Sequence, residues 1–129
     1  DRFWILIITD RRSEDMHVKF YCDLYVSQGW QKKKATLKRK LRKKKLLPSV
    51  YVITLSRGAQ NQLEFFSSVL LHQHVFDNED LFVVGIADGY DEALYFVEQI
   101  TDKVYRRTGT ADIRRFILKR QKEFDITGR

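Results

Sequence analysis

The stretch "MHVKFYCDLYV", Met16 to Val26, is compatible with two backbones, and the rest of the chain is read differently depending on which one forms. Its apolar residues Met16, Val18, Phe20, Cys22, Leu24 and Val26 fall on every second position, the period of a strand with one face buried. A helix competes for the same residues. Ser13 is suited to cap it, Glu14 and Asp15 to fill its first turn, and Gly29 to end it. At about 100° per residue, however, the six apolar positions scatter around the whole helical cylinder, so the spacing predicts a strand. Its outward face then carries His17, Lys19, Tyr21, Asp23 and Tyr25. Aromatic rings mixed with positive charge can stack on unpaired bases, but tyrosines beneath a covering helix are the commoner arrangement, and that is the reading adopted for them.

Outward from this strand, "FWILIIT", Phe3 to Thr9, reads as a buried strand closed by the polar cluster Asp10 to Asp15, so that the first two strands can form an N-terminal β-hairpin. On the other side Gln31 to Pro48, "QKKKATLKRKLRKKKLLP", is composed of good helix formers, with a thin apolar stripe of Trp30, Leu37 and Leu41 and a stop at Pro48. "SVYVITL", Ser49 to Leu55, is a further strand. "SRGAQNQ" then turns into a helix with Leu63, Phe66, Val69, Leu70 and Leu71 as its apolar residues. After "DNED" comes a strand, Leu81 to Ala87, and then the plainest helix of the chain, with Ala93, Val97, Ile100 and Val104 at spacings of four, three and four. Thr108 and Gly109 end it. A last helix spans about Asp112 to Phe124 with Ile113, Phe116 and Ile117 inward, and "DITGR" frays.

These elements predict an α/β fold: one domain over residues 1–129, with a mixed or mostly parallel sheet of three to four strands flanked by helices. The alternation of helix and strand after residue 31 favours parallel neighbours, and a hairpin at the start makes the sheet mixed. Hydrophobic residues are 43% and aromatic residues 13% of 129, enough to build a core. "FWILII" is too short to span a bilayer and resembles no cleavable leader, so neither a transmembrane helix nor a signal peptide is expected. The single Cys22 points to a reducing compartment, cytoplasmic or nuclear. It reads as a buried small hydrophobe, not a nucleophile.

Charge is distributed unevenly. Ten cations stand in the fourteen residues from Lys32 to Lys45: Lys32, Lys33, Lys34, Lys38, Arg39, Lys40, Arg42, Lys43, Lys44 and Lys45. They outweigh the formal net charge of +7, leaving the other 115 residues at −3. A dense cationic block on a mildly acidic body is suited to meeting phosphates, where counterion release gives salt-sensitive, sequence-independent affinity. The expected function is therefore non-catalytic: binding of nucleic acid or another polyanion through this polybasic segment, helical or mobile over residues 31–48, with Lys19, Arg11 and Arg12 as possible extensions. An acidic protein partner answers to the same charge.

The alternative reading is a small Rossmann-like phosphate-ligand binder or phosphatase-like enzyme. Its pocket is formed by Asp10, Ser56, Arg57, Gly58, Asn61, Asp88 and Asp91 in the loops after three strands, with Ser56 to Gly58 offering backbone N–H groups to a phosphate. A strand ending at Asp10, another ending at Thr54 or Ser56, and "IADGYDEAL" are together similar to the haloacid-dehalogenase-type phosphatase pattern, in which "DG" and a second acid hold magnesium. Arg12 stands where that pattern has another Asp. "GYDEAL" is also similar to the toprim segment of primases, with Ala87 or Asp88 where a glutamate precedes it there. The commoner use of Asp88 is to cap the following helix after a glycine turn. His72 and His74, two apart on a helix, point to different sides and make a poor metal pair. No metal, cofactor or catalytic residue is expected.

Overall fold

The computed structural model of the chain describes residues 18–55, 63–75 and 80–129. The first strand expected, Phe3 to Thr9, and with it the N-terminal hairpin, lie outside the described residues. The second is a strand as its alternation requires: β1, Val18–Val26. A 3₁₀ turn, Gln28–Lys33, leads into α1, Lys34–Arg42. Then follow β2, Val50–Leu55, β3, Leu63–Ser67, and the single turn α2, Val69–His72. β4, Leu81–Asp88, precedes α3, Tyr90–Thr108, and α4, Ile113–Thr127.

The four strands form one mixed sheet in the order β1-β4-β2-β3. β1 runs parallel to β4, whereas β2 runs antiparallel to both β4 and β3. Parallel pairing was expected around β2 because a helix was read over Leu63 to Leu71. That stretch is instead β3 followed by the short α2. Leu63, Phe66 and Leu70 do fit a helical spacing, but pairing of Leu55 with Leu63 through Tyr51 with Ser67 lays the segment along the edge of β2. Ser67 and Ser68 then end the strand: the Ser68 N–H donates to the Val50 carbonyl, and Ser67 Oγ accepts from the Val69 N–H.

Two apolar layers cover the two faces of the sheet. On one, Leu37 and Leu41 of α1 and Leu71 of α2 pack with Val18, Val26, Val50, Val52, Val83 and Ile86. On the other, α3 and α4 place Ala93, Ile100, Val104, Ile113 and Ile117 against Tyr21, Ile53, Val84 and Ala87. β4 is central and covered on both faces, which explains its nearly continuous apolar run "LFVVGIA".

The strict alternation of β1 breaks in the middle. Phe20 is opposite Val83 and Tyr25 is opposite Gly85, so β1 accommodates extra residues in a bulge. The bulge moves Cys22 away from Val18, Phe20, Leu24 and Val26. The residue packs with Tyr21 and Tyr25 on the α3–α4 face and is half-buried there, instead of inward as the period-two reading placed it. α4 holds the bulge: Cys22 N–H donates to Gln121 Oε1 at 2.7 Å, and Arg120 Nε donates to Asp23 Oδ2 at 2.7 Å.

Helix ends also differ from expectation. α1 stops at Arg42, well before Pro48, because Lys44 adopts a left-handed φ of 56°. Its N–H donates to the Leu41 carbonyl and that of Lys45 to the Lys40 carbonyl, the paired bonds of a Schellman cap, with lysine where glycine is usual. α4 continues through Asp125, Ile126 and Thr127, residues assigned to a frayed tail, and Gly128 with φ 75° ends it.

Candidate polyanion interface

α1 is anchored by two leucines and otherwise covered in charge. Leu37 and Leu41 are fully buried, and each contributes roughly 2 kcal/mol of apolar burial. Of the ten cations of the basic segment, Lys32, Lys33, Lys34, Arg39, Arg42, Lys43 and Lys45 are exposed and Lys38 and Lys40 half-buried, while Lys44 is buried at the helix end. The Lys44 carbonyl lies 3.0 Å from His72 Nδ1, which donates to it in the Nδ1–H tautomer. His72 thus has a structural partner, and His74, with φ 61°, lies beyond the end of α2.

None of the nine cations other than Lys44 forms an ion pair with a carboxylate among the described residues. Three of them lie over aromatic rings instead. Lys38 Nζ and Arg42 Cζ stand 5.6 and 5.0 Å from the centre of the Phe20 ring, and Lys40 Nζ is 5.9 Å from that of Trp30. These contacts steady the side chains and leave their charge unneutralised. Within α1 the pairs Lys34–Lys38, Lys38–Arg42 and Arg39–Lys43 are like charges at i, i+4, and each costs a few tenths of a kcal/mol. The charge therefore works against the helix that carries it, and the two buried leucines outweigh the cost.

The two tyrosines of β1 do not form an open stacking platform. Tyr21 is buried and lies 6.1 Å from the Phe82 ring, and Tyr25 is 5.9 Å from Phe96 of α3. Burial first, and then the neighbouring Asp23, push both phenols above the ordinary tyrosine range, as they do the Cys22 thiol above its own. The thiol stays protonated at neutral pH, which suits an inert packing role.

Of the strand-end pocket residues, only Asp88 and Asp91 are among the described residues. Because β2 is antiparallel to β4, with Val50 opposite Asp88, Leu55 is five residues, roughly 17 Å, from the end of the sheet where Asp88 lies. Asp10, Ser56, Arg57, Gly58 and Asn61 lie outside the described residues. Asp88 itself is exposed at the end of β4 and does not cap α3. Gly89, with φ 99°, takes the cap position, and Glu92 reaches back to accept from the Asp88 N–H at 2.8 Å. Asp91 lies in the first exposed turn, where its charge complements the helix N-terminus. Among the described residues no group of three or more His, Cys, Asp or Glu side chains is placed to hold a metal ion, and no helix is long and apolar enough to cross a membrane.

A second basic region was missed in the sequence. Lys103 to Lys122 contains eight cations and one acid, Asp112. It was hidden because its charges are spread over two helices and a glycine turn, and because acidic residues elsewhere cancel them in the total. A depression of about 580 Å³ between the end of α3 and the start of α4 is lined by Arg107, Arg115, Lys119 and Arg120 and by the carboxylates Asp112 and Glu123. Asp112 caps α4, accepting from the Arg115 N–H. No protein-family model, curated protein or solved structure matches this chain.

Proposed function

We propose that the protein is a non-catalytic binder of nucleic acid or a similar polyanion, acting through the cations of the 3₁₀ turn and α1. The observation that carries this reading is that nine surface cations of one short segment have no carboxylate partner among the described residues and repel one another along the helix. Charge that destabilises its own element serves something outside the fold. A phosphate backbone would relieve the repulsion, release its counterions and gain affinity from both. Lys38 and Arg42, held against Phe20, present charge at a defined place, and the outer cations Lys33, Lys34, Arg39 and Lys45 add to the field. A reducing compartment, cytoplasmic or nuclear, suits a chain with one unreactive cysteine.

The test is charge reversal of the exposed cations that do not pack. Lys33→Glu, Lys34→Glu, Arg39→Glu and Lys45→Glu together lower the formal net charge from +7 to −1. They also convert the Lys34–Lys38 and Arg39–Lys43 repulsions into attractions, so the variant folds at least as stably as the parent. In fluorescence anisotropy with a labelled oligonucleotide at low salt, binding weakens by a factor of about 100 or more. Undiminished binding by this variant, with its circular dichroism unchanged, rejects the reading. Association with an acidic protein but not with nucleic acid redirects it.

A further inference from the structure

We infer that the bound polyanion is a single-stranded nucleic acid, which follows a curved cationic track from α1 around β1 and along α4 to the end of α3. The inference rests on the polyanion reading above and assigns it a ligand class. Three neighbouring depressions define the path. The first is the cleft holding Arg107, Arg115 and Lys119. The second, about 540 Å³, shares Arg115, Lys119 and the helix-capping Asp112 with it and adds Leu118 and Lys122. The third, about 580 Å³, shares Leu118 and Lys122 with the second and brings in Lys19 and Phe20 of β1, Arg42 of α1 and one carboxylate, Asp125, which accepts from Gln121 Nε2. Lys122 of one basic helix and Arg42 of the other thus line the same groove, although the two helices cover opposite faces of the sheet.

The spacing along α4 suits a phosphate chain. Arg115, Lys119 and Lys122 recur at i, i+4 and i+7, so they share one face over roughly 10 Å of helix axis. All three are exposed and none forms an ion pair among the described residues. Arg120, also in the first cleft, is different: its guanidinium is held by Asp23 and by the Arg129 carbonyl, so it belongs to the scaffold. Leu118, 41% exposed, lies between the charges, and Phe20 meets the track under Lys38 and Arg42. Cations interleaved with apolar and aromatic side chains are the pattern that single strands use, backbone on charge and bases on the less polar surface.

Curvature selects the single strand over the duplex. The path leaves one face of the sheet, passes β1 and reaches the other face within one small domain. A duplex with a persistence length of about 50 nm cannot follow that bend without a large deformation cost, and would engage one helix at a time. A single strand bends freely.

The experiment compares a 20-nucleotide single strand with the corresponding duplex, binding the parent, an α4 variant (Arg115→Gln, Lys119→Gln, Lys122→Gln) and the α1 variant described above. The parent is expected to prefer the single strand at least tenfold. The α4 variant should lose at least tenfold for the single strand and reduce the slope of log K against log salt by about 2, the share of three phosphates. Its duplex affinity should change little. Equal affinity of the parent for the two nucleic acids, or undiminished single-strand binding by the α4 variant beside a loss in the α1 variant, overturns the track while leaving the α1 surface standing. A loss in neither variant overturns the polyanion reading as well. Unfolding midpoints separate a lost contact from a lost fold, because the three substituted side chains are exposed.

Discussion

Tyr21 shows how one side chain can answer to two patterns. By alternation it belongs to the outer face of β1, and an outer tyrosine beside Lys19 resembles a base-stacking group. In the structure α3 and α4 cover that face, and Tyr21 is only 5% exposed. Nothing local in the sequence announces the covering helices; only the amphipathic stripes some 70 residues later do. The consequence can be measured. Burial holds the Tyr21 phenol neutral well above its ordinary value of 10.0, whereas the unfolded chain ionises there. Tyr21 therefore contributes stability that is fully present below pH 10 and declines as the pH rises beyond it. Between about pH 8 and about pH 11 the parent should lose about 1 kcal/mol that Tyr21→Phe does not. Urea unfolding at the two pH values checks this; equal losses in the two proteins would refute it. Cys22 and Tyr25 shift in the same direction, so part of the alkaline loss persists in the variant.

At the level of elements, the long periodic segments were legible and the short or irregular ones were not. β1, β2, β4 and the two long helices form where their apolar spacing placed them. β3 was misread because five partly buried residues on a sheet edge satisfy a helical template as well as a strand one, and the pairing that decides between them is not local. The bulge in β1 was invisible for a related reason. Six apolar residues in perfect alternation conceal a register change that only β4 reveals. Because the bulge removes Cys22 from the regular alternation, its N–H depends on Gln121, 99 residues away. Gln121→Leu leaves that donor unsatisfied and should cost about 1–2 kcal/mol. A lower urea midpoint at unchanged slope is the expected result, and an unchanged midpoint would show that the bulge does not need α4. Arg120 and Asp23, an exposed pair, are expected to matter less.

For the whole molecule, the two basic surfaces were unequally legible. The α1 segment stands out as an unbroken run of letters, whereas the α3–α4 surface is assembled by folding, from arginines and lysines far enough apart to look ordinary. Formal net charge obscured it further, because the acidic residues that balance the sum cluster mainly elsewhere in the chain. On the proposed reading, affinity for phosphates would come mainly from displaced counterions, and such affinity has a signature that packing contacts lack. The most direct measurement is the affinity for a 20-nucleotide single strand as a function of salt between about 50 and about 200 mM. For the parent, log K should fall against log salt with a slope of about −3 or steeper. The variant carrying glutamate at positions 33, 34, 39 and 45 should be shallower, about −2, the share of the α4 cations it keeps. A flat dependence in the parent, or one slope shared by both proteins, would contradict the account.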